Sequence, residues 1–185
     1  MQIISGKFRA RKLIGVEGDT TRPTLARVKE SIFNLIQWNI DGSVVLDLFA
    51  GSGAFGAECI SRNAKMVYFC DIEKKAIKSI NYNTRQMGDN FEILNMDFKK
   101  ALSLFSSRTL KFDIIYLDPP YKSVFARESL ELIDKFDLLA EDGIIVIEHE
   151  SQNDLQNIPK CYIIEKSRKY GIAYVDILSR GKVRG

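Results

Sequence analysis

The chain has 185 residues, 45% of them apolar and 28% charged, with 12 Gly and 4 Pro. That balance supports one sizeable hydrophobic core and excludes disordered, collagen-like and coiled-coil chains. Apolar runs such as 144–147 are far too short to span a bilayer, and the first twelve residues carry four basic side chains without a long apolar stretch, so a cytoplasmic protein with no leader and no membrane segment is expected. The three cysteines, Cys59, Cys70 and Cys161, are widely spaced and lack neighbouring histidines, which points to neither a disulfide framework nor a metal site.

The formal charge is only +3, but it is unevenly placed. Residues 1–30 hold seven basic side chains (Lys7, Arg9, Arg11, Lys12, Arg22, Arg27, Lys29) against three acidic ones, so this stretch carries +4 and the remainder −1. A polyanionic partner at the N-terminus is the functional reading, and a solvated charged face is the plain one.

In chain order, residues 2–5 and 11–16 predict short strands around a basic turn. Apolar positions Leu25, Val28, Ile32, Leu35 and Ile36 then recur at helical spacing up to the Asp41-Gly42 break. Residues 1–40 thus form an N-terminal hairpin and helix, and 41–185 a catalytic domain, within one compact unit. From residue 44 the pattern alternates: strands at 44–49, 66–70, 91–94, 112–117 and 143–147, and helices at 54–62, 74–87, 99–105 and 126–136. Continuous apolar strands separated by helices imply a doubly covered parallel sheet. Strands at 161–166 and 172–178, joined by a turn at Tyr170-Gly171, close it as a hairpin with one antiparallel strand. The expected fold is a seven-stranded, mostly parallel, Rossmann-like α/β sheet.

The first chemical signal is the segment Asp47-Leu-Phe49-Ala50-Gly51-Ser-Gly53-Ala-Phe-Gly56 after the first strand of that sheet. Its glycines have the G-x-G-x-x-G spacing, which by itself also permits a nicotinamide nucleotide. Three acids change the balance. Asp47 lies at the end of that strand, where a pyrophosphate would be repelled and a cationic amino-acid group accepted. Asp71 closes the next strand and suits ribose hydroxyls, and Asp97 follows the third and suits an adenine amine, with Ile72 and Phe98 covering the ring. An adenosine with a positively charged amino-acid tail, S-adenosylmethionine, matches all three. The plain alternative is that each Asp caps a helix.

The second signal is Asp118-Pro119-Pro120-Tyr121 at the end of the fourth strand of the sheet, the edge at which open α/β proteins bind ligands. Two prolines fix the turn, so that the Asp118 carboxylate and Pro119 carbonyl present two acceptors to a planar amine, while Tyr121 offers a stacking face. Asp118 is also a candidate acceptor for the released proton.

The pairing of these motifs resembles class I S-adenosylmethionine-dependent methyltransferases acting on amino nitrogens. The N-terminal residues Ile3 to Leu13, Thr21-Arg22-Pro23-Thr24, Arg27-Val28-Lys29-Glu30 and Phe33-Asn34 narrow the resemblance to the RsmD-type 16S ribosomal RNA guanine-N2 methyltransferases, over nearly the whole chain. One departure is Ala10, where the family often has Gly. The resemblance implies N2-methylation of a guanine in 16S rRNA, on the 30S subunit or its precursor; a monomer is expected. It further implies that Asp71 holds the ribose, Asp97 the adenine and residues 118–121 the target guanine, with Arg22 and Thr24 bordering the cleft. Lys7, Arg9, Arg11, Lys12 and Arg27 would then meet phosphates. With no separate recognition domain, specificity would come from the shape of a large RNA–protein substrate.

Adenine N6 in DNA and a protein glutamine amide suit the same amine clamp, and a noncatalytic RNA-binding assembly factor is the rival of a different class. His149, the single histidine, reads as a hydrogen-bonded strand-end residue. Trp38 reads as packing on the first helix together with Phe33 and Ile36. Arg168, Lys169, Arg180, Lys182 and Arg184 fit an RNA surface or a solvated tail equally well.

Overall fold

Residue alternation along short apolar strands sends consecutive side chains to opposite faces of a sheet, and both faces here are apolar. In the computed structural model, which describes residues 1–17, 23–120, 124–149 and 158–181 (backbone alone for 23–26), seven strands form one sheet. In chain order the elements are α1 (Pro23–Leu35), β1 (Val44–Asp47), α2 (Ala54–Ser61), β2 (Met66–Asp71), α3 (Lys74–Thr84), β3 (Phe91–Asn95), α4 (Phe98–Ser107), β4 (Phe112–Leu117), α5 (Phe125–Lys135), β5 (Leu139–His149), β6 (Tyr162–Tyr170) and β7 (Ala173–Arg180). The strand order is β3-β2-β1-β4-β5-β7-β6. β1 to β5 pair in parallel, and β7 runs antiparallel to both β5 and β6. The C-terminal hairpin and its single reversed strand are as the sequence predicts.

The two faces bury separate cores. Val45, Val67, Phe69, Ile114, Tyr116 and Val146 meet α1, α2 and α3 together with Ile3 and Leu13 of the N-terminal arm. Their neighbours Leu46, Tyr68, Cys70, Ile115, Leu117 and Ile147 meet α4 and α5. Strand order reverses at β1, so the loops after β1 and β4 diverge at the carboxyl edge and leave a crevice there.

Two expectations need correction. Residues 2–5 and 11–16 form a single bridge, Gln2 with Lys12, in place of two strands. The ladder stops because the amides of Ile4 and Ser5 donate instead to the Glu58 carboxylate (2.8 and 2.9 Å), and those of Lys7 and Phe8 to Ser61. Trp38 does not pack on α1: it is 90% exposed, while Phe33 and Ile36 are fully buried. The helix ends at Leu35, and position 38 falls two residues beyond Ile36, off the buried stripe.

Candidate active site

The glycine segment turns tightly because two of its glycines take left-handed backbone, Gly51 at φ +53° and Gly53 at φ +73°. No atom lies within 4 Å of where a Cβ on Gly51 would stand, so its backbone faces open space. Gly56 has a different reason. A Cβ there would stand 2.2 Å from the Phe69 ring, so the third glycine lets α2 lie against β2.

Asp47 is fully buried beneath this turn. One carboxyl oxygen accepts from the Gly56 amide (3.1 Å), and the other has no partner among the described residues. Burial pushes its pKa up to about 7, against the pull of the Gly56 amide. Asp47 lines neither of the cavities described below, so it supports the turn from beneath instead of forming a wall. Asp71 ties two strand ends together, accepting from the Gly51 amide (2.8 Å) and the Glu73 amide (2.8 Å). Asp97 caps α4 through the Lys99 amide (2.9 Å), the plain role that its position allowed. Each carboxylate oxygen has two lone pairs, so these bonds leave both acids able to accept from a ligand.

A cavity of about 580 Å³ lies along this edge, lined by Phe49, Gly51, Asp71, Ile72, Met96, Asp97 and Phe98, with Asp118, Pro119, Pro120 and Phe125 at its far side. The rings of Phe49, Phe98 and Phe125 pack together (centroids 5.2–6.4 Å apart), giving the acids an apolar floor. Carboxylate acceptors, an apolar floor and an open glycine backbone along one cavity fit an adenosine bearing a cationic tail.

A second cavity of about 220 Å³ lies between the glycine turn and the N-terminal arm, and shares Phe49, Gly51 and Asp118 with the first. Its other lining includes Met1, Gly15, Val16, Lys29, Phe55, Tyr116 and Glu148. Phe55 stacks on Tyr116 (4.0 Å, 7°), whose hydroxyl donates to Glu148 Oε1. Asp118, at the junction, makes no hydrogen bond among the described residues. Burial first, then the nearby Glu148 and Asp47 charges, push its carboxyl well above the usual carboxylate range. Burial raises Glu148 as well, opposed by the Tyr116 hydrogen bond.

Asp47, Gly51, Gly53, Asp71, Ile72, Asp97, Phe98, Asp118 and Pro119 are thus gathered at one sheet edge, with Phe49, Ala50 and Pro120. Tyr121 and Arg22 lie outside the described residues, as does the side chain of Thr24. The described basic residues of the N-terminal stretch have separate surroundings. Lys7 bonds Asn63, and Arg11 bonds the Arg85 carbonyl and lies over Phe8, whereas Arg9, Lys12 and Arg27 are exposed. Of the C-terminal basic residues, Arg180 pairs with Asp137. His149 bonds Asp176 at 2.9 Å, as a strand-end residue should. Among the described residues no group of His, Cys, Asp or Glu could hold a metal, and no helix is long and apolar enough to cross a membrane.

Sequence reasoning missed Glu58, Asn83, Lys29, Tyr116 and Glu148. Asn83 bonds both Ile14 and the Ser52 carbonyl, linking arm to glycine turn. Its signal was a polar residue on the buried stripe of α3. The signal for Glu148 was its place after the apolar run 144–147, matching Asp71 and Asp118 on their strands.

The strand order, the reversed seventh strand and the acids at successive strand ends define a Rossmann-like class I methyltransferase fold. A solved chain from Escherichia coli superposes with a TM-score of 0.85 at 26% identity, with 97% of each chain covered. The chain belongs to the family described as Conserved hypothetical protein 95, whose model matches residues 1–179. YlbH of Bacillus subtilis (strain 168) is 38% identical over 182 residues, 97% of this chain and 99% of the relative. Ribosomal RNA small subunit methyltransferase D of Haemophilus influenzae is 32% identical over 178 residues, 93% and 90% of the two chains.

Proposed function

We propose that this chain, as a monomer, transfers a methyl group from S-adenosylmethionine to the exocyclic N2 of a guanine in 16S rRNA, on the 30S subunit or its assembly precursor. The observation that carries the reading is the meeting of two cavities at Asp118, one suited to an adenosyl donor and one to a base. The family relatives named for small-subunit rRNA methylation supply the substrate class.

When bound, the cofactor supplies an electrophilic methyl on a sulfonium. Asp71 would hold its ribose and Asp97 its adenine, with Ile72 and Phe98 against the ring. Burial pushes the carboxyls of Asp47, Asp118 and Glu148 up, and a cation at the glycine turn would draw them towards their charged forms. A guanine amine is a weak nucleophile because its lone pair is delocalised into the ring. Asp118 and the Pro119 carbonyl, accepting one hydrogen each, turn that lone pair out of the ring plane, and Tyr121 stacks the base. Alignment of this kind is worth up to roughly 7–11 kcal/mol. The raised proton affinity of Asp118 suits it to take the proton released as the N–C bond forms. The base must be unstacked to enter. Lys7, Arg9, Arg11, Lys12, Arg22 and Arg27 would meet phosphates, with Thr24 bordering the cleft.

The test is incubation with labelled S-adenosylmethionine and undermethylated 30S subunits, with the product mapped by mass spectrometry. One N2-methylguanine, lost in Asp118→Ala with cofactor binding retained, is expected. Methylation of duplex DNA or of a protein glutamine instead, or 30S binding without methyl transfer, overturns the reading.

A further inference from the structure

Glu148 takes part in the reaction above only through its charge, yet it stands beside the residue on which that reaction turns. β4 and β5 pair in parallel with Tyr116 opposite Val146 and Leu117 opposite Ile147. Continuing that register by one residue brings Asp118 and Glu148 side by side at the carboxyl edge. Both line the cavity between the glycine turn and the N-terminal arm. The Tyr116 hydroxyl occupies Glu148 Oε1 and orients the carboxylate, and Oε2 makes no hydrogen bond among the described residues. That oxygen is thus left as an acceptor at the cavity that Phe55 and Tyr116 also line.

We propose that Glu148 determines base specificity: its Oε2 accepts the N1 hydrogen of the target guanine while Asp118 and Pro119 hold the adjacent amine. This rests on guanine N2 being the substrate. Guanine offers N1–H and N2–H₂ side by side, donors that two neighbouring acceptors match. Adenine sets a bare N1 lone pair beside its amine, and a carboxylate facing that lone pair repels it. A site that lacks large recognition loops would thereby select its base chemically, in addition to any selection by RNA shape. Rejection of a partner that leaves a buried polar group unpaired is the strong form of discrimination.

The test uses the full chain, S-adenosylmethionine and small subunits reconstituted with either guanine or 2-aminopurine at the position mapped above. 2-Aminopurine keeps the 2-amino group but has an unprotonated N1. The wild type should methylate it at least about tenfold less efficiently than guanine. Glu148→Gln retains an acceptor for Tyr116 and can turn its NH₂ toward a bare N1, so it should narrow the gap about tenfold or more. Glu148→Ala, which removes the repulsion, should narrow it too, and is the readout if the first variant does not fold. A guanine to 2-aminopurine ratio unchanged in the variants, whatever their overall rates, overturns the role of Glu148 and leaves the proposed reaction standing. A wild type that methylates no guanine in these subunits overturns both.

Discussion

Removal of one carboxylate should be felt far from its own helix at Glu58. This side chain on α2 is fully buried and takes four donors: Ile4 N–H (2.8 Å) and Lys29 Nζ (3.1 Å) on Oε2, and Ser5 N–H (2.9 Å) and Arg62 Nε (2.9 Å) on Oε1. Two of the donors are backbone of the N-terminal arm and one is on α1, so a single group fastens both segments to the sheet. Glu58→Gln keeps the shape, but only one of its two positions still accepts, and the charge is gone. A hydrogen bond to a charged group contributes about 1.5–3 kcal/mol, and breaking one side of a buried ion pair costs roughly 3–5 kcal/mol. The two figures describe the same contacts and do not add. Arg62 and Lys29 retain some water and lie over the Phe33 ring, which lowers the cost of stranding them. A loss of about 3–4 kcal/mol is expected. At roughly 2–4 °C per kcal/mol for a chain of this size, melting should fall by about 6–16 °C. Thermal circular dichroism measures the fall, and brief trypsin treatment should cut the variant at Lys7 to Lys12 faster than the wild type. A melting point within about 2 °C of the wild type, with the arm equally resistant, would refute the anchoring role.

Ala10 sits at φ +67°, where a side chain costs roughly 1–2 kcal/mol and where glycine's extra freedom in the unfolded chain gives part of that back. Ala10→Gly should therefore raise stability by up to about 1 kcal/mol. Gly6→Ala should do the reverse and more strongly, since its Cβ would stand 1.9 Å from the Ser61 carbonyl oxygen; urea unfolding that ranks the two the other way round would contradict the turn geometry. For Asp47, whose folded-state pKa is raised to about 7, the linked stability is complete below the unfolded carboxylate pKa and is lost as pH rises through about 7. Wild type should lose stability relative to Asp47→Asn between pH 5 and 7, by up to about 1.4 kcal/mol per pH unit. A pH-independent difference in urea midpoints between the two proteins would show that this carboxyl does not titrate there.

The sheet was legible because its strands are continuous apolar runs bounded by turn residues, and a parallel strand buried on both faces leaves that mark in one dimension. The acids Asp47, Asp71, Asp97 and Asp118 were legible for a related reason: topology brings the carboxyl ends of parallel strands to one edge, so residues distant in sequence become neighbours by rule. The N-terminal arm was not legible as built. Alternating apolar residues predicted a ladder, but the amides of Ile4 and Ser5 find a carboxylate more than fifty residues away, and no local pattern encodes that partner. Trp38 was not legible from its size, because its phase lies off the buried stripe, and Ile40, fully buried two residues on, takes the inward position.

The same distinction separates what could be read of the site from what could not. A residue whose place follows from strand register can be found from sequence, and Glu148 was within reach, since it ends its apolar run as Asp71 and Asp118 end or follow theirs. Its neighbour His149 has the rarer chemistry, but its side chain bonds Asp176. Lys29, Glu58 and Asn83 differ, because their roles arise only where the arm crosses α2 and α3. Glu58 and Lys29 hold the first residues of the arm and Asn83 ties Ile14 to the Ser52 carbonyl of the glycine turn, so these polar contacts, beside the apolar anchors Ile3 and Leu13, hold the wall that the arm gives the second cavity. Movement of the arm would change the shape of the second cavity and leave the first intact, because none of the arm's residues lines the latter. Binding of donor and of target base should therefore respond separately to damage at Glu58: weaker methyl transfer to RNA with cofactor affinity preserved.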